Sequence, residues 1–236
     1  MSDQRLTRRT VLAGAVLGSV MNAQTDVTAA VDHLLLGAAD LDAGIAWVEE
    51  RTGVRAVVGG SHPGRGTRNA LLSLGGRHYL EIIAPDPEQS SIDFRVDLRG
   101  LKEPRLVNWA ARSEDVAAVA KMATGAKLHV IGPRGGSRVT PAGATLQWQT
   151  VTIDSRFGQG AVEPVPFFIE WGEGVVHPSE SSPGGCVLKS LAIAHPDATG
   201  LGRLLRTLGL PDKVDRGPEA RLTAVLKTAK GTVRLS

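Results

Sequence analysis

Cysteine is almost missing from this chain: of its 236 residues only Cys186 is one. A lone thiol excludes an intramolecular disulfide framework and any multi-cysteine zinc or iron–sulfur site. A bound metal would have to be held by His, Asp, Glu, Asn or Gln. No excess of one charge sign exists either, with 27 Lys+Arg against 24 Asp+Glu and a net charge of +3. The basic residues are scattered rather than blocked, which gives no support to a nucleic-acid or membrane-surface partner. No apolar run reaches the roughly 18–20 residues of a membrane span, so stable membrane insertion is not expected. What remains, 42% hydrophobic and 22% charged residues, is the make-up of an ordinary globular protein with one large domain or two small ones.

The first thirty residues stand apart. Arg5, Arg8 and Arg9 precede an uncharged apolar run, Val11–Met21, and Asp3 is the only acid before Asp26. A basic segment followed by such a run reads as a signal peptide over residues 1–30. Thr7-Arg8-Arg9-Thr10-Val11-Leu12 also resembles the twin-arginine export signal, which implies a periplasmic or extracellular protein. Thr28-Ala29-Ala30 is a loose match to a cleavage site. The alternative is a helical N-terminus on a cytoplasmic protein.

From Val31 onward one supersecondary pattern, strand, helix and then three strands, recurs in modules at about 31–86, 105–172 and 187–236. In the first, Asp40 is placed to cap a helix over Leu41–Arg51 whose stripe is Leu41, Ile45 and Val48, and Gly53 ends it. Strands are expected at 31–36, 55–58, 70–74 and 79–84. In the second module Ser113 is the candidate cap, and strands fit around 129–131, 145–153 and 166–171. The Gly- and Pro-rich segments 132–143 and 172–185 read as loops. The predicted class is therefore α+β, with tandem βαβββ modules.

Alternation sorts strand residues onto two faces. In the first module, leucines and isoleucines make an apolar face under the helix, leaving His33, Asn69, Ser73, Tyr79 and Glu81 on the other. A face with both His and Glu is costly to bury unless something pairs with them, and a metal ion would do so. Aligning the second module with the first puts Asn108 in the place of His33 and Glu170 in the place of Glu81. Gln147 and Gln149 then share the polar side, while Trp109, Trp148 and Trp171 fall beneath the helix. The third module offers Ser190 and Arg234 at the same two places.

These modules, with His on the first strand and Glu on the last, resemble the vicinal oxygen chelate superfamily. The segments Val31-Asp-His-Leu-Leu-Leu36, His62-Pro-Gly-Arg-Gly-Thr-Arg-Asn69, Tyr79-Leu-Glu-Ile-Ile-Ala-Pro-Asp86 and Pro166-Phe-Phe-Ile-Glu-Trp-Gly172 are similar to its glyoxalase-like branch. The resemblance implies curved mixed sheets paired into a cup, with ligands from the first and last strands of two modules meeting in the middle. It also implies a divalent ion, Fe2+, Mn2+, Zn2+ or Ni2+, chelating two neighbouring oxygens of a small-molecule substrate. By the resemblance His33, Glu81 and Glu170 are the metal ligands, with Glu170 alternatively the catalytic base. Arg65, Arg68, Asn69, Tyr79 and Asn108 are the substrate-binding candidates. The reaction would be of lyase, isomerase or dioxygenase type. The competing reading is a metal-free protein of the bleomycin-resistance type that sequesters a small molecule. The odd third module leaves open whether it pairs with another chain to make a homodimer.

Overall fold

The structure is a computed structural model that describes residues 26–140 and 143–236. The twin-arginine segment and the apolar run lie outside the described residues. A short 3-10 turn, Val27–Ala30, leads into β1 (Val31–Gly37), α1 (Leu41–Thr52), β2 (Val57–His62), β3 (Thr67–Ser73) and β4 (Tyr79–Pro85). The second module is β5 (Arg105–Arg112), α2 (Val116–Gly125), β6 (His129–Val139), β7 (Thr145–Asp154) and β8 (Phe167–Trp171), followed by the short α3 (Pro178–Ser181). The chain ends with β9 (Val187–His195), α4 (Ala198–Thr207), β10 (Asp215–Arg216), β11 (Arg221–Thr228) and β12 (Gly231–Leu235). Among the described residues no helix is long and apolar enough to cross a membrane.

The helix ends follow from local chemistry. The Asp40 side chain accepts a hydrogen bond from the Ala43 amide and caps α1, and the helix buries Leu41, Ile45 and Val48 as its stripe requires. In α2 the cap is Asp115, which accepts from the Ala118 amide, rather than Ser113. Ser113 Oγ accepts from the Asp115 amide one step earlier.

Modules one and two join into one eight-stranded sheet in the order β2-β3-β4-β1-β5-β8-β7-β6. Each half keeps its first and last strands parallel and adjacent, β1 with β4 and β5 with β8, and the halves meet through the antiparallel β1–β5 pair. The sheet curls so far that its two edges, β2 and β6, come together: an Arg138 Nη1 donates to the Gly59 carbonyl across the seam. The helices cover the convex side over a core that includes Leu34, Leu36, Leu72, Leu80, Ile82, Leu106 and Trp109. The concave side is a cup.

The segment read as a loop over 132–143 is a correction, because β6 runs through it to Val139 and pairs with β7 as far as Val139–Thr145. Its glycines suit a strand closely overlain by a large side chain, the indole of Trp148 lying against Gly136.

The third module is also corrected. It has the expected succession of elements but a different order, β10-β9-β11-β12, so its last strand lies two away from its first. Ser190 and Arg234 pair with Val225 from opposite sides and do not form a second His/Glu-like site. This sheet packs Leu191, Ile193, Leu222 and Leu226 into the convex core. The turn at Val27–Ala30 is part of that packing: Val27 is buried, and Thr28 Oγ1 accepts from the Leu191 amide.

Candidate functional site

The cup encloses a cavity of about 440 Å³. Its floor is built by β1, β3 and β4. His33 pairs in register with Tyr79, and Leu35 with Glu81, so the His33 and Glu81 side chains emerge on one face of neighbouring strands. His33 Nε2 lies 3.3 Å from Glu81 Oε2. On the hairpin β2–β3, His62 stands opposite Thr67, and its Nε2 comes within 3.5 Å of Glu81 Oε1. Asn69 Nδ2 donates to Glu81 Oε1 at 2.7 Å. The Glu81 carboxylate is thus held between two imidazoles and an amide, and all four side chains line the cavity.

Both imidazoles are held from behind. His33 Nδ1 donates to Asp32 Oδ1 at 2.8 Å, and His62 Nδ1 shares a hydrogen bond with Thr67 Oγ1 at 2.9 Å. Strict alternation would send Asp32 to the opposite face from His33. A register shift between Val31 and His33 breaks the alternation and lets both side chains meet. Asp32 also accepts from His177 Nε2 at 3.2 Å and from the Trp171 indole. Tyr79 stacks on the His33 ring with centroids 4.5 Å apart.

The electrostatics follow from this packing. Burial alone would pull the His33 pKa down, but its hydrogen bonds to Asp32 and Glu81 outweigh burial and raise it to about 9. Burial pushes the Glu81 carboxyl up, and the hydrogen bond from His33 with the neighbouring imidazoles overcomes it, to about 2. Asp32 is held far below the usual carboxylate range despite its burial, by the bonds from His177 and His33. His62 moves the other way, as burial lowers its pKa and favours the neutral ring. Glu163, a further buried cup residue, has its carboxyl pKa raised by burial.

Module two supplies a different lining. Phe167, Ile169 and Trp171 face the cup, together with Trp148 from β7. Glu170 therefore does not reach it. Its Oε2 accepts from the Val116 amide at 2.9 Å, at the N-terminus of α2, where a carboxylate is stabilised by the helix dipole. Trp148 and Trp171 are likewise on the cup side rather than beneath the helix, while Trp109 is buried in the convex core as expected. Asn108 lines the cup, but its Oδ1 accepts from the Trp109 amide. Arg65 lines the mouth, 3.8 Å from Asp93. Arg68 lies away from the cup lining, its Nη2 3.9 Å from Asp40.

Four side chains of the candidate site and its surroundings were missed in the sequence. Asp32 was hidden by the register shift. His62 lay within a motif from which only the arginines and Asn69 were singled out. His177 gave no spacing signal, since it reaches Asp32 across 145 positions of chain. Arg138 was hidden in a strand whose glycines and proline read as a loop.

Among the described residues no group of three or more His, Cys, Asp or Glu is gathered at metal-binding spacing. In this arrangement Glu81 stands between the imidazoles, so each ring meets the carboxylate rather than a common point. The donor types nevertheless fit a divalent ion. Two imidazoles and one carboxylate make a recognised set for such ions. The backing of each Nδ1 by Asp32 or Thr67 is what fixes a ligating ring.

Comparison with known proteins places the chain. The sequence model described as the glyoxalase-like domain matches residues 31–209. The crystal structure of a hypothetical protein from Staphylococcus aureus superposes with a TM-score of 0.64 at 15% identity, covering 87% of this chain and 98% of that one. Methylmalonyl-CoA epimerase from Mycobacterium tuberculosis gives a TM-score of 0.42 at 22% identity, over 62% of this chain and 90% of that one. No curated protein matches the sequence.

Proposed function

Because this chain belongs to the glyoxalase-like domain family of the vicinal oxygen chelate superfamily, we propose that it is an enzyme acting on a small molecule with two adjacent oxygens. The observation that carries this reading is the trio His33, His62 and Glu81, with both imidazoles held from behind and turned onto one carboxylate. These three residues would hold a divalent ion. Bound there, the ion supplies Lewis acidity toward the substrate oxygens and lowers the cost of charge developing on them.

The protein does the rest. Asp32 and Thr67 fix the rings, and Asn69 fixes the carboxylate through its 2.7 Å bond. Phe167, Ile169, Trp148 and Trp171 wall the cup and exclude water, which strengthens every charge interaction inside. Glu163, a buried cup carboxylate whose pKa burial raises, is the group we assign to hold and release a proton. It takes the role of base that the family resemblance implied for Glu170. This favours lyase or isomerase chemistry, in which Glu163 would move a proton at the carbon beside the substrate's adjacent oxygens. Export through the twin-arginine segment is part of the proposal, with the cut placed ahead of Asp26 because Val27 is a core residue.

One observation favours a second reading. Module two adds no imidazole to the cup and walls it with Phe167, Ile169, Trp148 and Trp171, as a metal-free binding protein would require. Titration of chelator-treated protein with Mn2+, followed by calorimetry, separates the two. His62→Ala is expected to weaken Mn2+ binding about tenfold or more, and Glu170→Ala to leave it unchanged. Binding that survives His62→Ala but fails with Glu170→Ala would refute the ligand assignment. Absence of Mn2+ binding in the parent protein would favour sequestration.

A further inference from the structure

Arg138 is the cup's least explained charge. Its residue is only 5% exposed, yet among the described residues its guanidinium has a single hydrogen bond, from Nη1 to the Gly59 carbonyl, and no salt bridge. The side chain lines the cavity. A guanidinium carries five N–H donors, and those of Arg138 that have no protein acceptor are open to the cavity it lines, where a ligand can meet them. The surroundings are shaped to admit it. A Cβ on Gly59 would lie 3.0 Å from Arg138 Nη1 and 2.3 Å from Asn69 Oδ1, so the strand edge facing Arg138 has no room for a side chain there.

The other cup charges do not answer it. Glu81 attracts Arg138 electrostatically but is engaged by His33 and Asn69. Glu163 and Asp154 are engaged by Arg95, at 3.4 and 2.5 Å. Asp93 is near Arg65. Arg134, from the same strand β6, also lines the cavity and has no ion pair among the described residues. The cup therefore holds two cations on the edge strand β6, the buried Arg138 and the exposed Arg134, that lack anionic partners among the described residues.

We infer that Arg138 is the receptor for a carboxylate on the molecule that enters the cup, with Arg134 as the outer cation of the same subsite. The planar fork of a guanidinium matches a carboxylate in a bidentate manner. The inference rests on the cup being a small-molecule site, and adds that the molecule is a carboxylic acid rather than a neutral diketone or epoxide. It also separates two jobs on two walls: β1, β3 and β4 carry the ion-binding donors, and β6 carries the anion grip.

The test uses the full chain after chelator treatment, so that anion binding is read without metal. Succinate and malonate are titrated by calorimetry, with their dimethyl esters as neutral counterparts. The acids are expected to bind at least about tenfold more tightly than the esters, and Arg138→Gln to lose about tenfold of that affinity while Mn2+ binding stays unchanged. Because Arg138 also stitches β6 to β2, Arg138→Lys is measured in parallel. It keeps the charge and a donor for the Gly59 carbonyl but loses the fork, so it should fold, bind Mn2+ and bind the acids several-fold more weakly. Equal affinity for acids and esters, no saturable binding of either acid, or unchanged acid affinity in whichever Arg138 variant folds would each overturn the inference. None of these results depends on whether the ion-binding reading holds.

Discussion

Asp32→Ala is expected to lower the unfolding free energy by about 3–5 kcal/mol, the scale of breaking a buried charge network by removing one partner. Asp32 is 2% exposed and accepts from three groups that have come out of water: His33 Nδ1, His177 Nε2 and the Trp171 indole. Its loss leaves the two imidazole donors buried without that partner and the half-buried indole without its acceptor. It also frees the His33 ring, so Mn2+ affinity should fall by roughly 10- to 100-fold, as when the carboxylate behind a ligating histidine is removed. A further signature lies in the pH dependence. With a folded-state pKa of about 9 against an ordinary 6.5, His33 contributes stability that is complete below pH 6.5 and is lost as pH rises through about 9. Without Asp32 one cause of that raised pKa disappears, so the alkaline loss should still begin near pH 6.5 but be smaller and end at lower pH. Urea unfolding across pH 5–10 measures both effects. A midpoint unchanged by the substitution would show that the three donors find other partners.

Gly66→Ala should cost about 3 kcal/mol, combining a left-handed backbone penalty of about 1–2 with steric overpacking of about 1–3. Gly66 has φ +68°, and a Cβ there would come within 1.7 Å of the Ser91 carbonyl oxygen, a contact only backbone movement can relieve. Ser91 belongs to the connection between β4 and β5, which brings Asp93, Phe94, Arg95 and Val96 over the mouth of the cup. That connection is tied back by Asp86 N to the Gly66 carbonyl and Asp93 N to the Arg65 carbonyl. Pushing it away opens the cup, so ligand affinity should fall along with stability. Gly64→Ala is the control. Its φ is +72° but nothing lies within 4 Å of the added methyl, so only the backbone penalty of about 1–2 kcal/mol is expected. Equal losses from the two variants would contradict the steric argument.

The contrast between Gly64 and Gly66 shows where a sequence stops informing. Both stand in one turn-rich motif, and only the fold reveals which one faces a carbonyl. The same division runs through the site. His33, Asn69, Tyr79 and Glu81 were legible together because β1, β3 and β4 alternate as regular strands, and a shared face follows from parity. Asp32 was not, because one irregularity beside it cancels the parity rule locally. Glu170 was assigned to the wrong face for a related reason. β8 is hydrophobic on both sides, Phe167 and Ile169 inward and Phe168 outward, so its pattern gives no parity, and the pairing of Ala110 with Phe167 decides it. Arg138 was hidden because glycine and proline signal turns in general, whereas here a strand tolerates them beneath an indole. The cup itself was implied by the resemblance of the βαβββ modules to the vicinal oxygen chelate superfamily. The third module shows the limit of that inference, since the same succession can be threaded in another strand order.

The most direct test of the central claim is the metal content of untagged protein, measured beside the His33→Ala, Glu81→Ala double variant by elemental analysis. The account predicts close to one divalent ion per chain in the parent protein, either as purified or after reconstitution with Fe2+, Mn2+, Zn2+ or Ni2+, and none in the variant. A parent protein that holds no metal after reconstitution, or a folded variant that holds as much as the parent, would contradict it.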